Sequence, residues 1–287
     1  MRLLKCDQVK NTRPYHIINC IFFTIISLTS YAQDSGSETL INKLFAGIQS
    51  TSDDRRKIAM NDSIDLIISS YVRSDSVLTH KFGNLKNLGQ VESPDLKLKI
   101  INWNLVLRDG SNKYFLYIIR KGEKKGSENK VFTLRGENKS RPPDSLGTFN
   151  QSNWYGALYY SIQPFRHGKE NCYLLLGIDF GKDMITRKLI DILTFDEKGD
   201  PMFGKECFLR DGKLKSRHVI EYSSDGLISL RLESRKLVVF DRVSPYSSGH
   251  TSASLFMGAG LLFDGYRLKR GLWNYVENVD IRNSKKK

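Results

Sequence analysis

Apolar residues fall at helical intervals in the first quarter of the chain and at strand intervals thereafter. Leu40, Leu44, Phe45 and Ile48 recur three and four residues apart, and Met60, Ile64, Ile67, Ile68 and Tyr71 repeat the pattern. That spacing puts one apolar stripe on one helix face, so residues 35–74 are predicted to form two amphipathic helical segments. Ser35 followed by Glu38 has the form of a capping box, in which each side chain satisfies a free backbone donor at the helix start.

From about Leu96 the period becomes two. Leu96, Leu98 and Ile100 alternate with Lys97 and Lys99; the apolar phase then slips to Ile101, Trp103, Leu105 and Leu107, with Asn102 and Asn104 between them. A one-residue slip is the mark of a β-bulge, expected here at Ile100 and Ile101. Asp109-Gly110 turns the chain into residues 114–119, apolar on both faces and so predicted to be buried. Further strands are predicted near 131–134, 155–163, 171–180, 186–195, 202–209, 216–222, 227–232, 236–241 and 266–276. Gly, Asp, Asn or Ser occupies several of the turns, as antiparallel hairpins require. The runs 120–150 and 244–260 read as loops.

The expected fold is therefore mainly β with a helical contribution (α+β). A short helical N-terminal segment (35–74) precedes an antiparallel hairpin meander (96–280) wound into a curved sheet, barrel or sandwich. Ser93-Pro94-Asp95 has the form of a propeller blade turn, but the Asp-Gly pairs at 109, 211, 225 and 264 share no common interval. A propeller is thereby set aside.

The first 32 residues change the accounting. Arg2, Lys5, Lys10 and Arg13 precede an apolar run from Ile17 to Leu28, and Ser30 and Ala32 stand at −3 and −1 of a cut before Gln33. Positive, apolar and small residues in that order make a secretory signal peptide. The apolar run is short of the ~20 residues of a spanning helix. Residues 1–32 are expected to be removed and 33–287 to form one mature domain, periplasmic or extracellular, with no transmembrane segment. Its formal charge would be +11, from 41 basic and 30 acidic side chains.

Several short motifs then stand out: Tyr31-Ala32-Gln33 at the signal's end, Ser93-Pro94-Asp95, Ile101-Asn102-Trp103-Asn104, Leu193-Thr194-Phe195-Asp196, Asp264-Gly265-Tyr266, and Trp273 with Tyr275 and Val276-Glu277. In these the chain resembles uncharacterised, exported, β-rich proteins of Bacteroidota. The resemblance spans most of the mature chain and implies no known reaction.

Motif-bearing chemistry is missing. The sequence contains no HExxH, GxSxG, P-loop, paired CxxC or EF-hand loop, and no cofactor or metal is implied. His80, His167, His218 and His250 have no second histidine at metal-ligand spacing; His250 lies in the Ser-rich run. Carboxylates offer one alternative, because two of them suffice to hydrolyse a glycan. Asp191 lies in a nearly apolar strand, where burial would raise its pKa as a general acid needs. A two-residue turn after that strand would set it opposite Glu206.

The turn Asp196-Glu197-Lys198-Gly199 favours a different register. Its glycine suits the left-handed position of a type I turn with a bulge, which pairs Asp196 with Asp200. Leu193 then meets Phe203, Leu189 meets Cys207, and Asp191 meets Lys205 as an ion pair. The same meander places Cys172 and Cys207 two strands apart, almost 10 Å at ~4.8 Å per strand. Bridged Cα atoms are usually about 4.4–6.8 Å apart, so both thiols are expected to be free.

Charge supplies the other candidate. The chain carries 45 Lys and Arg against 31 Asp and Glu, a net charge of +14. Residues 120–141 concentrate cations, among them Lys121, Lys124 and Lys125, and a basic strip can hold anionic groups at modest salt. Trp154 and Tyr155 could stack on sugar rings, although their strand context also suits a core. Nucleic acid is not expected as a partner in an exported compartment. The favoured expectation is an exported, non-catalytic binding or structural module for an anionic or glycan ligand, lipid headgroups or an envelope protein. The alternative is a glycan or peptide hydrolase using Asp191 and Glu206.

Overall fold

The computed structural model describes residues 36–124, 126–137, 141–181, 184–245 and 257–281. The signal segment, Ser35, Lys125 and His250 lie outside the described residues. Among the described residues the fold is mainly β, with two helices and sheets that are antiparallel except for one parallel strand pair in the last sheet. Helix α1 covers residues 36–50 and α2 covers Asp54–Tyr71. Asp53 caps α2: its carboxylate accepts the backbone N–H groups of Arg55 (2.9 Å) and Arg56 (3.4 Å), donors that no earlier turn can satisfy.

Three sheets follow. The first runs β1 (Gly89–Glu92), β2 (Leu98–Val106), β3 (Asn112–Arg120) and β4 (Lys130–Glu137), in that order. Ser93-Pro94-Asp95 makes its first turn: the Ser93 hydroxyl accepts Leu98 N–H at 2.9 Å, closing β1 onto β2. The second sheet contains β5 (Leu158–His167), β6 (Glu170–Phe180), β7 (Ile185–Phe195) and β11 (His218–Ser223), ordered β11-β7-β6-β5. The short β8 (Pro201–Phe203) also pairs with β7. The third contains β9 (Phe208–Arg210), β10 (Lys213–Lys215), β12 (Leu230–Ser234), β13 (Leu237–Pro245), β14 (Met257–Lys269) and β15 (Leu272–Val276), ordered β10-β9-β15-β14-β13-β12.

Side-chain alternation stacks these elements into layers. Ile101, Trp103 and Leu105 of β2 and Phe115, Tyr117 and Ile119 of β3 pack under α1 and α2 with Ile41, Ile64 and Ile68. The opposite faces of the same strands, with Leu98, Ile100, Tyr114, Leu116 and Ile118, meet Tyr173, Leu175, Leu189 and Leu193 of the second sheet. The other face of that sheet, with Leu174, Leu176, Ile190 and Ile192, meets Phe208, Val238, Tyr266 and Trp273 of the third. The architecture is a sandwich of three sheets with helices over one outer face.

This layering corrects the expected bulge. β2 pairs with β1 and with β3 without any register shift. Its apolar phase slips because the strand faces two cores, and the sequence changes which core it feeds most heavily midway along. Lys99, which looked like an outward position, is fully buried beneath the helices, donating to Val77 O at 2.8 Å.

The hairpin at 196–200 forms as its turn residues require. Asp196 N–H donates to Asp200 O at 3.0 Å, Gly199 adopts φ +85°, and Leu193, Thr194 and Phe195 pair with Phe203, Met202 and Pro201. Strand 202–209 does not continue as expected. At Gly204, φ is +90°, and a Cβ there would stand 2.5 Å from Gly147 O, so only glycine fits without strain. The chain leaves the second sheet at that point and enters the third as β9. β11 takes the vacated flank of β7, pairing Leu189 with Val219 instead of Cys207. Residues 266–276 likewise divide, turning at Arg270-Gly271 between β14 and β15.

The same departure corrects the geometry expected for the cysteines. Both are free and fully buried, but they are neighbours in one core: Cys207, in the segment before β9, lies close enough to Cys172 on β6 for each thiol to shift the other's titration. That contact pulls the Cys172 thiol below its ordinary pKa, while it and burial push the Cys207 thiol up. The expected outcome of thiol alkylation is no uptake by the native protein and two alkyl groups per chain after non-reducing unfolding. No uptake after unfolding would mean that the pair is bridged.

Candidate ligand-binding cleft

The site begins with two asparagines on a strand otherwise built for packing. Trp103 fixes the strand to the helices: its indole donates to Asn61 Oδ1 at 2.9 Å and its ring stacks on Phe115 with centroids 5.0 Å apart. The alternation of a strand then turns Asn102 and Asn104 to the other side. A carboxamide offers a donor and an acceptor side by side, as a neighbouring strand's backbone does. Asn102 uses both on one residue of β5, accepting Tyr159 N–H at 2.8 Å and donating to Tyr159 O at 3.1 Å. Asn104 donates to Asn112 Oδ1 at 2.7 Å, and Asn112 donates to Phe180 O at 3.1 Å. These amides sew the first sheet to the outer edge of the second, where β5 has no strand neighbour.

Above this seam lies a cleft of about 600 Å³. Phe45, Ile48 and Gln49 of α1 and Lys57 of α2 form one wall, with residues 86–91 beside them. Asn102, Asn104 and Val106 form the floor, and Leu158, Tyr159, Tyr160, Ile178 and Phe180 close the far side. Lys57 and Lys86 are the only charged residues in the lining. Lys57 is half-buried, its ammonium donating to Val106 O at 2.8 Å, and Lys86 is exposed. Neither has a carboxylate partner among the described residues.

The basic strip is arranged differently. A hollow of about 660 Å³ sets Lys97, Arg120 and Lys121 against Asp95, Glu123 and Glu170, three charges of each sign. A neighbouring one of about 410 Å³ sets Arg120, Lys121, Lys124, Lys130 and Lys198 against Glu123, Glu128, Asp196 and Glu197. Arg120 is bonded to Glu123 and lies over the Phe195 ring at 4.5 Å. Lys121 and Lys124 are exposed as expected, yet carboxylates around them cancel most of the field.

Trp154 and Tyr155 are core residues, 3% and 5% exposed, so they are closed to a stacking ligand. The Tyr155 hydroxyl donates to Asp179 Oδ2 at 2.7 Å and Tyr114 donates to Oδ1 at 2.9 Å, while Arg187 balances that buried carboxylate at 3.0 Å. Burial, and then the Asp179 charge, push both tyrosines above the ordinary phenol range.

The carboxylate pair is not assembled. Asp191 is buried and meets Arg217, not Lys205, with Nε 3.1 Å from Oδ2. Burial pushes its carboxyl up, against the pull of Arg217 and the Ile192 N–H. Glu206 is exposed on the segment that has left the second sheet, and Lys205 binds Glu170 at 2.6 Å. Among the described residues, no group of three or more His, Cys, Asp and Glu converges as a metal site.

Sequence reasoning missed the cleft. Its one visible signal was a pair of amides at inward positions of an apolar strand. No protein-family model, curated protein or solved structure matches the chain, so the site stands on its own geometry.

Replacing Asn102 with Ala strands both backbone groups of Tyr159. At roughly 1–3 kcal/mol for each buried group left unpaired, the variant should lose about 2–6 kcal/mol of unfolding free energy in urea. A loss under about 0.5 kcal/mol, the scale of ordinary surface substitutions, would contradict the seam.

Proposed function

We propose that the protein is an exported, non-catalytic binding module that holds an anionic ligand in this cleft. One observation carries the reading: the cleft presents two ammonium groups and no carboxylate, whereas the cations of the basic strip are matched by acids. In a partly enclosed, low-dielectric cleft a fixed charge acts more strongly than one facing bulk water. The chain's basic excess would add a weaker, long-range attraction for anionic partners such as envelope glycans or lipid headgroups. Export rests on the order of segments within residues 1–32. Among the described residues no helix is long and apolar enough to cross a membrane.

A hydrolase using Asp191 and Glu206 finds no support. Asp191 lines none of the clefts described above, and its charge is engaged by Arg217.

The test takes the protein as its own cells export it. Its intact mass should lack residues 1–32. Binding to a panel of anionic glycans, headgroups and carboxylates should then weaken at least about tenfold when Lys57 and Lys86 are both changed to Glu, with a flatter salt dependence. Changing Lys121 and Lys124 to Glu should alter affinity by less than about threefold, as screened surface charges do. The reverse ranking of the two variants would move the site to the basic strip.

A further inference from the structure

We infer that the ligand of this cleft is an amphipathic carboxylate, an apolar chain ending in one anionic head, and not a polyhydroxylated glycan. The inference rests on the reading just given and comes from how the cleft's polar atoms are already spent. Asn102 is committed at both ends to Tyr159. Gln90 is committed at both ends to Phe82, accepting its N–H and donating to its carbonyl at 3.0 Å each. The Tyr160 hydroxyl donates to Leu230 O at 3.0 Å, and Asn104 donates to Asn112.

A sugar needs a partner for nearly every hydroxyl it buries, because a buried polar group left unpaired costs about 1–3 kcal/mol. Here the amides serve the fold, and a sugar ring would find few free ones. Apart from the exposed Gln49 and Asn87, whose amides share one hydrogen bond at 3.4 Å, what remains available is apolar. Val106 on the floor and Phe180 on the far side are 46% and 39% exposed, and Ile48, Leu158 and Ile178 add apolar surface on the two sides. Covering such a surface with an alkyl chain is favourable in proportion to the area removed from water.

The charged groups stand where a head group would end. The Lys57 ammonium is held against the Val106 carbonyl, so the cation meets the floor at the residue whose apolar side chain is exposed. Lys86 lies at the same cleft from the loop before β1. The volume of about 600 Å³ is within the roughly 300–1,000 Å³ of small-molecule sites. An alkyl body against the apolar side chains and a carboxylate at the two lysines use the apolar surface and both cations of the cleft.

The experiment titrates the exported protein with dodecanoate below its micelle-forming concentration, followed by the backbone amide signals of cleft residues. Dodecanol and a glucuronate trisaccharide serve as comparison probes. Saturable dodecanoate binding is expected. It should weaken about tenfold or more when Lys57 and Lys86 are both changed to Gln, or when the chain is offered as dodecanol, since a hydrogen-bonded charge is worth more than one decade. Val106→Asp, at an exposed position that folding tolerates, should weaken it as much, and unchanged melting of each variant checks the fold.

Equal affinity for dodecanol and dodecanoate would overturn the anionic head. Lysine-dependent binding of the trisaccharide without binding of dodecanoate would overturn the amphipath and leave the anion-binding cleft standing. Signals in the cleft that move with none of the probes would overturn both.

Discussion

The outer edge of β5 is the weak point of this architecture, and one side-chain amide closes it. An edge strand presents unpaired N–H and C=O groups, which cost free energy if buried and invite foreign strands if exposed. Here the edge runs against the first sheet with no strand to pair it, and Tyr159 is buried there. Asn102 supplies the missing donor and acceptor at Tyr159, and Asn104, through Asn112, satisfies Phe180 O at the end of β6. The two sheets are thereby held at a fixed offset. The helices, anchored through Trp103 on the opposite side of the same strand, overhang the gap. The cleft is the space that this offset leaves.

Placing a sheet between two others has an electrostatic consequence. Charges on the middle strands are taken out of water, and each must find a partner inside. Asp179 is met by Arg187 and two tyrosines, and Asp191 by Arg217. Lys99 beneath the helices donates to backbone carbonyls of the segment after α2, and burial pushes its ammonium pKa down. Charges that looked available for chemistry are therefore structural. Of the hollows described above, the cleft is the one whose cations face no carboxylate.

Local grammar was legible in the sequence: the helical stripes, the strand alternation, the Asp196–Asp200 hairpin with its glycine, and the mainly β class. What failed was reading beyond one hairpin. A strand with two buried faces imitates a bulge, because periodicity reports how apolar a face is and not which core it enters. Gly204 imitated a mid-strand residue, although its backbone angle ends the ladder. Arg217 stands 26 residues from Asp191, and it arrives through a strand swap that pairing rules for consecutive strands do not contain. The cleft was illegible for the same reason: its lining comes from two helices, two sheets and a loop, and only the packing of layers brings them together.

The seam is tested most directly by hydrogen exchange at a single amide. Tyr159 N–H points away from β6, on the side of β5 that has no strand neighbour, so the Asn102 carboxamide is what holds it. The amide should exchange as slowly as the interior amides of β6 and β7, and should become fast in the Asn102→Ala protein while the β6–β7 ladder stays protected. Exchange of Tyr159 at the rate of exposed loop amides in the unaltered protein would contradict the account.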